Sequence, residues 1–317
     1  MGEFELIRRY FANQPATASV ALGIGDDCAL LQIPAGQQLA VSIDSLVEGT
    51  HFLPGTDPAR LAERLLGAAV SDLAAMGASP LWFTLALTLP EATEAWLEPF
   101  ARRLAERAAE LGIVLVGGDT TRGPLALSAQ VHGAVMPGKA LTRAGAQPGD
   151  LICVTGTLGD SAAGLQTLFD KTPTSAEVEF LQQRYYCPQP RLTAGQQLAG
   201  IASACLDISD GLLGDLNHIL LATAQPLGAQ IITDQLPLSA AMLQQFGHIQ
   251  GHKWALSGGE DFELCFTLPA ARRDCLATLT TPVTVVGEIL ARPGIFLQYP
   301  DGQLITVPPS GFNHFAS

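Results

Sequence analysis

Ile113-Val114-Leu115-Val116-Gly117-Gly118-Asp119 is an unbroken apolar run that ends on two glycines and an acid. Shortly after it, Leu127, Ala129, Val131, Gly133 and Val135 alternate with Ser128, Gln130 and His132. The first pattern is that of a strand buried on both faces, the second that of a half-buried antiparallel strand. A chain that holds both kinds, interleaved with helical segments, is expected to be α+β: two mixed α/β halves with mixed β-sheets rather than a doubly wound parallel fold. The turn-rich stretch Ala144-Gly145-Ala146-Gln147-Pro148-Gly149 marks the expected break, giving halves 1–146 and 147–317.

Outward from this stretch, Leu97, Phe100, Leu104, Ala108 and Leu111 recur at helical spacing up to Gly112, and Leu85–Leu89 reads as a strand. Asp57 with Pro58 starts a long helix that runs to about Met76. Leu61, Leu65 and Asp72 share one face of it, so Asp72 points along the buried stripe, where an unpaired carboxylate is costly and a partner is expected. The competing reading tips Asp72 into solvent at the helix end. A short N-terminal helix over Phe4–Phe11 and strands at Ala29–Ile33 and Leu39–Ile43 complete the first half. The second half is expected to hold a strand at Leu151–Thr155, a helix from Asp160, and helices near 177–186, 191–203, 212–222, 238–246 and 270–280. Its other strands fall near 204–208, 228–233, 262–268, 283–289 and 295–299, with a hairpin turn at Pro300-Asp301-Gly302.

With 317 residues, 48% hydrophobic and 15% charged, the composition is that of a soluble α/β enzyme. The net charge of −13 argues against a nucleic-acid partner, which needs a basic footprint. Six cysteines without a C-x-x-C pair fit a reduced, cytoplasmic setting. No apolar leader opens the chain, and Leu81–Leu89 is too short to cross a bilayer, so no membrane partner is expected.

Acids flanked by small or apolar residues recur in Leu22-Gly23-Ile24-Gly25-Asp26-Asp27-Cys28-Ala29, in Ser42-Ile43-Asp44-Ser45, after Val116, in Leu206-Asp207-Ile208-Ser209-Asp210-Gly211 and in Ser257-Gly258-Gly259-Glu260-Asp261. The expectation is that the fold gathers them. No Walker A sequence is present, and Gly23-x-Gly25 lacks the third glycine of a dinucleotide fingerprint. Carboxylates and hydroxyls without imidazole or thiolate select Mg²⁺ rather than zinc. Two carboxylates ~4 Å apart repel by roughly 4 kcal/mol at an effective dielectric of 20, so several share a cleft only with cations between them. Glycine beside each acid lets a phosphate approach the backbone amides. Phosphate chemistry with several Mg²⁺ ions is the reading that follows. For each acid alone a local turn or helix cap competes, and Asp57 and Asp160 are left with that role.

The motifs Gly25-Asp26-Asp27-Cys28-Ala29, Asp44 with Glu48-Gly49-Thr50-His51-Phe52, Val70-Ser71-Asp72-Leu73-Ala74-Ala75-Met76-Gly77-Ala78, Gly117-Gly118-Asp119-Thr120, Leu141-Thr142-Arg143, Asp207-Ile208-Ser209-Asp210-Gly211-Leu212 and Ser257–Leu264 resemble, in order and spacing, those of the thiamine-monophosphate kinases. This family lies in the aminoimidazole-ribonucleotide-synthase-like superfamily, whose members have two α/β halves. The resemblance implies transfer of the γ-phosphoryl of ATP to thiamine monophosphate, the last step of thiamine diphosphate biosynthesis, and a homodimer joined through the N-terminal sheets. It implies Mg²⁺ on Asp27, Ser42, Asp44, Asp72, Asp119, Asp207 and Asp210, with the Ile43 carbonyl contributing. It assigns ATP to Gly118, Asp119, Arg143 and Ser209, and the thiamine phosphate to His51, Glu260 and Phe312. The 1–146 half would carry metal, ATP and dimer contacts, and 147–317 would complete the site. Phe100 and Ala101 are the candidates for the adenine contact. Asp26 stands as a loop stabiliser or an outer partner of the metals. A related ATP-dependent synthase, or a Mg²⁺-nucleotide binding module without turnover, are the alternatives.

Overall fold

The computed structural model of the chain describes residues 3–312. It divides into two compact units, Met1–Leu73 with Ala78–Gly138, and Ala74–Gly77 with Lys139–Ser317. The first unit runs α1 (Glu3–Tyr10), β1 (Val20–Leu22), β2 (Leu30–Leu31), β3 (Gln38–Val47), α2 (Pro58–Ala75), β4 (Ser79–Leu89), α3 (Glu94–Leu111), β5 (Val114–Arg122) and β6 (Ala126–Val135). Its four-stranded sheet has the order β3-β6-β4-β5, with β4 parallel to β5 and the other pairs antiparallel.

The start of α2 is set by local chemistry: the Ala59 amide donates to Asp57 Oδ1 at 2.8 Å, with Pro58 at the first helical position. Leu61, Leu65, Leu66 and Val70 of α2 and Leu127, Ala129 and Val131 of β6 are fully buried. At about 1.5–3 kcal/mol for each large apolar side chain, this layer dominates the stability of the unit. Alternation on β3 turns Ser42, Asp44 and Leu46 to one face and leaves Leu39, Val41, Ile43 and Val47 exposed on the other.

β5 is longer than the apolar run suggests. It continues through Gly117-Gly118-Asp119, pairing Leu85 with Gly118 and Ala86 with Asp119. A Cβ at Gly118 would lie 2.0 Å from the Leu85 carbonyl oxygen, so the glycine is what lets the parallel strands close there. The double glycine thus sits inside the strand. The strand expected at Ala29–Ile33 contracts to the two residues of β2.

The second unit runs β7 (Asp150–Thr155), α4 (Asp160–Phe169), α5 (Ala176–Tyr186), α6 (Leu192–Leu198), β8 (Ala204–Asp207), α7 (Leu212–Leu221), β9 (Gly228–Ile232), α8 (Ala240–Ser257), β10 (Leu264–Pro269), β11 (Val283–Leu290), β12 (Gly294–Gln298) and β13 (Leu304–Val307). The seven-stranded sheet is ordered β13-β12-β9-β11-β7-β10-β8, mixed because β12 is parallel to β9. Its central strands are largely apolar because both faces are covered. Ile152, Val154, Leu206 and Cys265 pack with Leu212, Leu216 and Ile219 of α7, whereas Cys153, Cys205, Leu264 and Phe266 pack with Ala194 and Leu198 of α6. Both units are mixed α/β with mixed sheets, as the strand patterns imply. Three helices differ from expectation, the first being α6, which ends at Leu198 rather than near 203. α8 passes a kink at Gly247 (φ 73°, ψ 175°) and continues to Ser257, and 270–278 is a 3₁₀ segment rather than an α-helix.

Candidate active site

In the first unit a cavity of about 590 Å³ is enclosed by residues of α1, the loop Gly23–Ala29 and β5. Asp26, Asp27, Gly118 and Asp119 line it together, so the fold brings together acids that stand 92 residues apart in the chain. The two neighbouring acids differ in their work. Asp26 Oδ1 accepts the Asp27 amide at 2.8 Å, a local bond that shapes the turn.

Ser42, Asp44 and Asp72 gather where β3 meets α2. Ser42 Oγ donates to Asp72 Oδ2, so the carboxylate on the buried stripe has the partner its position requires. Asp44, two residues on, lies on the same face of β3, whereas Ile43 faces the other way and is 60% exposed. His51 closes the turn after β3. Its Nδ1 accepts the Val47 amide at 3.0 Å, and its carbonyl accepts from Arg64 at 3.1 Å. With Nδ1 an acceptor, the neutral imidazole carries its proton on Nε2.

In the second unit Asp207 is buried at the end of β8, opposite Leu264 of β10. The amides of Ser209, Asp210 and Gly211 all donate to Asp215 Oδ2 at 3.0 Å, folding this loop around one carboxylate. Burial pushes the Asp215 carboxyl up to about 6, against the pull of those amides. The Glu260 amide donates to the Ser209 carbonyl at 2.7 Å and the Phe312 amide to the Asp210 carbonyl at 3.0 Å. Ser209, Asp210, Glu260 and Phe312 are therefore joined through their main chains. Phe312 keeps 54% of its surface exposed. Arg143 is exposed in the segment beside β8, one residue after Thr142, whose carbonyl accepts the Cys205 amide at 2.8 Å.

A buried charge cluster stands behind this loop. Glu263 is fully buried and takes Arg191 in a two-pronged contact at 2.6 and 2.5 Å, Arg184 at 2.8 Å and Thr155 Oγ1 at 2.6 Å. Asp261 accepts the amides of Gly159 at 2.6 Å and Ser161 at 3.2 Å, and burial pushes its carboxyl up to about 7. Asp160, expected only to start a helix, is fully buried, with Ser239 and Thr157 donating to it; burial raises its carboxyl as well. Glu263 and its arginines escape a sequence reading because the partners lie 72 and 79 residues away in the chain, and Asp215 escapes it because its partners are main-chain amides. The one local signal is an acid in the first turn of α7, just after the loop it ties.

One sequence expectation needs correction. Phe100 is fully buried and stacked on Trp96 at 4.8 Å, and Ala101 is 7% exposed, so neither offers a platform to a base. His248 and His252 form an H-x-x-x-H pair on the second part of α8, with ring centroids 6.2 Å apart. Among the described residues, no three His, Cys, Asp or Glu side chains stand close enough to hold a metal ion. The carboxylates of Asp26, Asp27 and Asp119 in the cavity, where Cys28 and Thr120 also stand, and the Asp72 carboxylate with the Ser42 hydroxyl at the β3–α2 junction are hard oxygen donors, whose chemistry fits Mg²⁺.

Acids and a double glycine line one cavity of this mixed α/β unit. Residues 25–135 match the family model described as AIR synthase related protein, N-terminal domain. More specifically, the chain belongs to the thiamine-monophosphate kinase family. It is 49% identical to the thiamine-monophosphate kinase of Salmonella typhimurium, the match covering 100% of this chain and 99% of that protein. The crystal structure of thiamine-monophosphate kinase from Stenotrophomonas maltophilia K279a is 41% identical with a TM-score of 0.85, covering 95% of this chain and 96% of that one. AaThiL complexed with AMPPCP and TMP is 31% identical with a TM-score of 0.80, covering 90% and 89%. Among the described residues no helix is long and apolar enough to cross a membrane.

Proposed function

We propose that this chain transfers the γ-phosphoryl group of ATP to the phosphate of thiamine monophosphate, giving thiamine diphosphate and ADP. The observation that carries the reading is the cavity in which Asp27 and Asp119 flank the Gly117-Gly118 backbone, in a chain of this family. Asp27, Ser42, Asp44, Asp72 and Asp119, with the Ile43 carbonyl, and Asp207 and Asp210 of the second unit are the residues that would hold Mg²⁺. When bound, magnesium supplies charge neutralisation between these acids and the phosphates.

The remaining work falls to the chain itself. Gly118 leaves its backbone open to a phosphate, Arg143 offers a fork of donors to the nucleotide, and Ser209 adds a hydroxyl. The Nε2–H of His51 and the Glu260 carboxylate orient the thiamine phosphate, and the exposed ring of Phe312 stacks on its flat cationic portion. The acceptor oxygen is already largely ionised near neutral pH, so no strong general base is needed, and positioning carries the rate.

The apolar stripe Leu39, Val41, Ile43 and Val47 on the outer face of β3 supports a homodimer joined through the first unit. We place the reaction in the cytoplasm, where ATP is made. The 1–146 half carries metal, nucleotide and dimer roles, and 147–317 completes the ATP and substrate site. A coupled assay of ADP release tests the reading: thiamine monophosphate should raise ADP release well above the ATP-only rate. An enzyme that binds ATP with Mg²⁺ yet shows no such rise would overturn it.

A further inference from the structure

The chain around Asp261 is held in a conformation it would not adopt alone. Glu260 (φ 66°) and Phe262 (φ 51°) flank it, both in the left-handed region that side chains other than glycine rarely enter. Such a conformation persists only where the surroundings enforce it. The enforcing contacts are on both sides. The Glu260 amide is bound to the Ser209 carbonyl, the Phe262 amide to the Ile208 carbonyl at 2.9 Å, and the Ile208 amide to the Glu263 carbonyl at 2.8 Å. Between the strained residues, the Asp261 carboxylate turns inward and is clamped by the Gly159 and Ser161 amides at the start of α4.

We propose that Asp261 is a positioning residue: by anchoring to the α4 N-terminus it locks the reversed backbone at Glu260 and so aims the Glu260 carboxylate at the thiamine phosphate. The inference rests on the assignment of Glu260 to that substrate. The amide carboxylate pair behind the loop acts as a peg. Without it the strain at 260 and 262 relaxes and Glu260 swings away, while Ser209 and Asp210 keep their own tie to Asp215.

The test is a double-mutant cycle in the full chain with Asp261→Asn and Glu260→Ala, reading KM and kcat separately for both substrates. Asp261→Asn keeps the volume but loses one amide acceptor. It should raise KM for thiamine monophosphate roughly tenfold while moving KM for ATP less than about twofold. In the Glu260→Ala background it should add nothing further to KM, because Asp261 then has nothing to aim. Full additivity of the two effects, or a drop in thermal stability with unchanged KM, overturns the positioning role. If Glu260→Ala itself leaves KM for thiamine monophosphate unchanged, the substrate assignment of Glu260 fails instead. Should Asp261→Asn not fold, amide hydrogen exchange in the wild-type chain reads the same link. Adding thiamine monophosphate should slow exchange at Gly159 and Ser161, and unchanged rates there overturn the proposal.

Discussion

The acids of the two units are held in opposite ways. Asp26 and Asp27 sit on an exposed glycine-rich loop in which the Asp27 amide donates to Asp26 Oδ1. Glu263, Asp261 and Asp160 are buried, and each has resident partners: two arginines, the α4 amides, or a pair of hydroxyls. Buried charge is tolerated only when it is paired and hydrogen-bonded. A carboxylate left at a cavity wall has its charge available for something brought in from outside. Glu263, Asp261 and Asp160 are thus satisfied within the fold, whereas Asp26 and Asp27 stand at a glycine-lined cavity wall.

The strongest way to break this comparison is Glu263→Gln, which leaves Arg184 and Arg191 facing a neutral amide. It should cost about 3–5 kcal/mol of unfolding free energy, the loss typical of breaking a buried ion pair, measured by urea denaturation. A change below about 1 kcal/mol, on the scale of exposed pairs, would show the cluster to be ornamental. The opposite signature is expected at the cavity wall. Asp27→Asn should lower kcat about a hundredfold or more, as when one preorganised electrostatic group is removed, with the urea midpoint unchanged.

A smaller effect sharpens the distinction by pH. Burial raises the folded-state carboxyl of Asp261 to about 7, above its ordinary value of 3.8. A raised carboxyl favours the folded state in its protonated form, so its contribution is full below pH about 4 and is lost as pH rises through about 7. The stability of the wild type relative to Asp261→Asn should therefore fall between pH 4 and 7. A difference that stays flat or grows across that window would mean the carboxylate is ionised in its pocket throughout.

Much of the first unit was legible because its signals are local. Asp57-Pro58 names the start of α2, and the spacing of Leu61, Leu65 and Asp72 requires a partner for the acid, which proves to be Ser42. The alternation of β6 likewise predicts its half-buried, antiparallel place. The errors arose where distant pairing overrides local grammar. Gly117-Gly118 reads as a strand end, yet parallel pairing with β4 carries β5 on to Arg122. Gly247 reads as a helix stop, and the chain re-enters a helix after one reversed residue. The cluster around Glu263 was out of reach because Arg184 lies 79 residues away and Thr155 108 residues away. Main-chain joins such as Glu260 to Ser209 leave no mark in residue type at all.

The space beside those acids is defined by missing atoms as much as by present ones. A methyl group on Gly156 would fall 2.2 Å from Glu263 Oε1, and one on Gly259 would fall 2.6 Å from the Ser209 carbonyl oxygen. An alanine scan, designed to subtract side chains, would at these two positions add one. Gly156 and Gly259 should therefore emerge from such a scan among its most damaging sites, although neither has a side chain to lose.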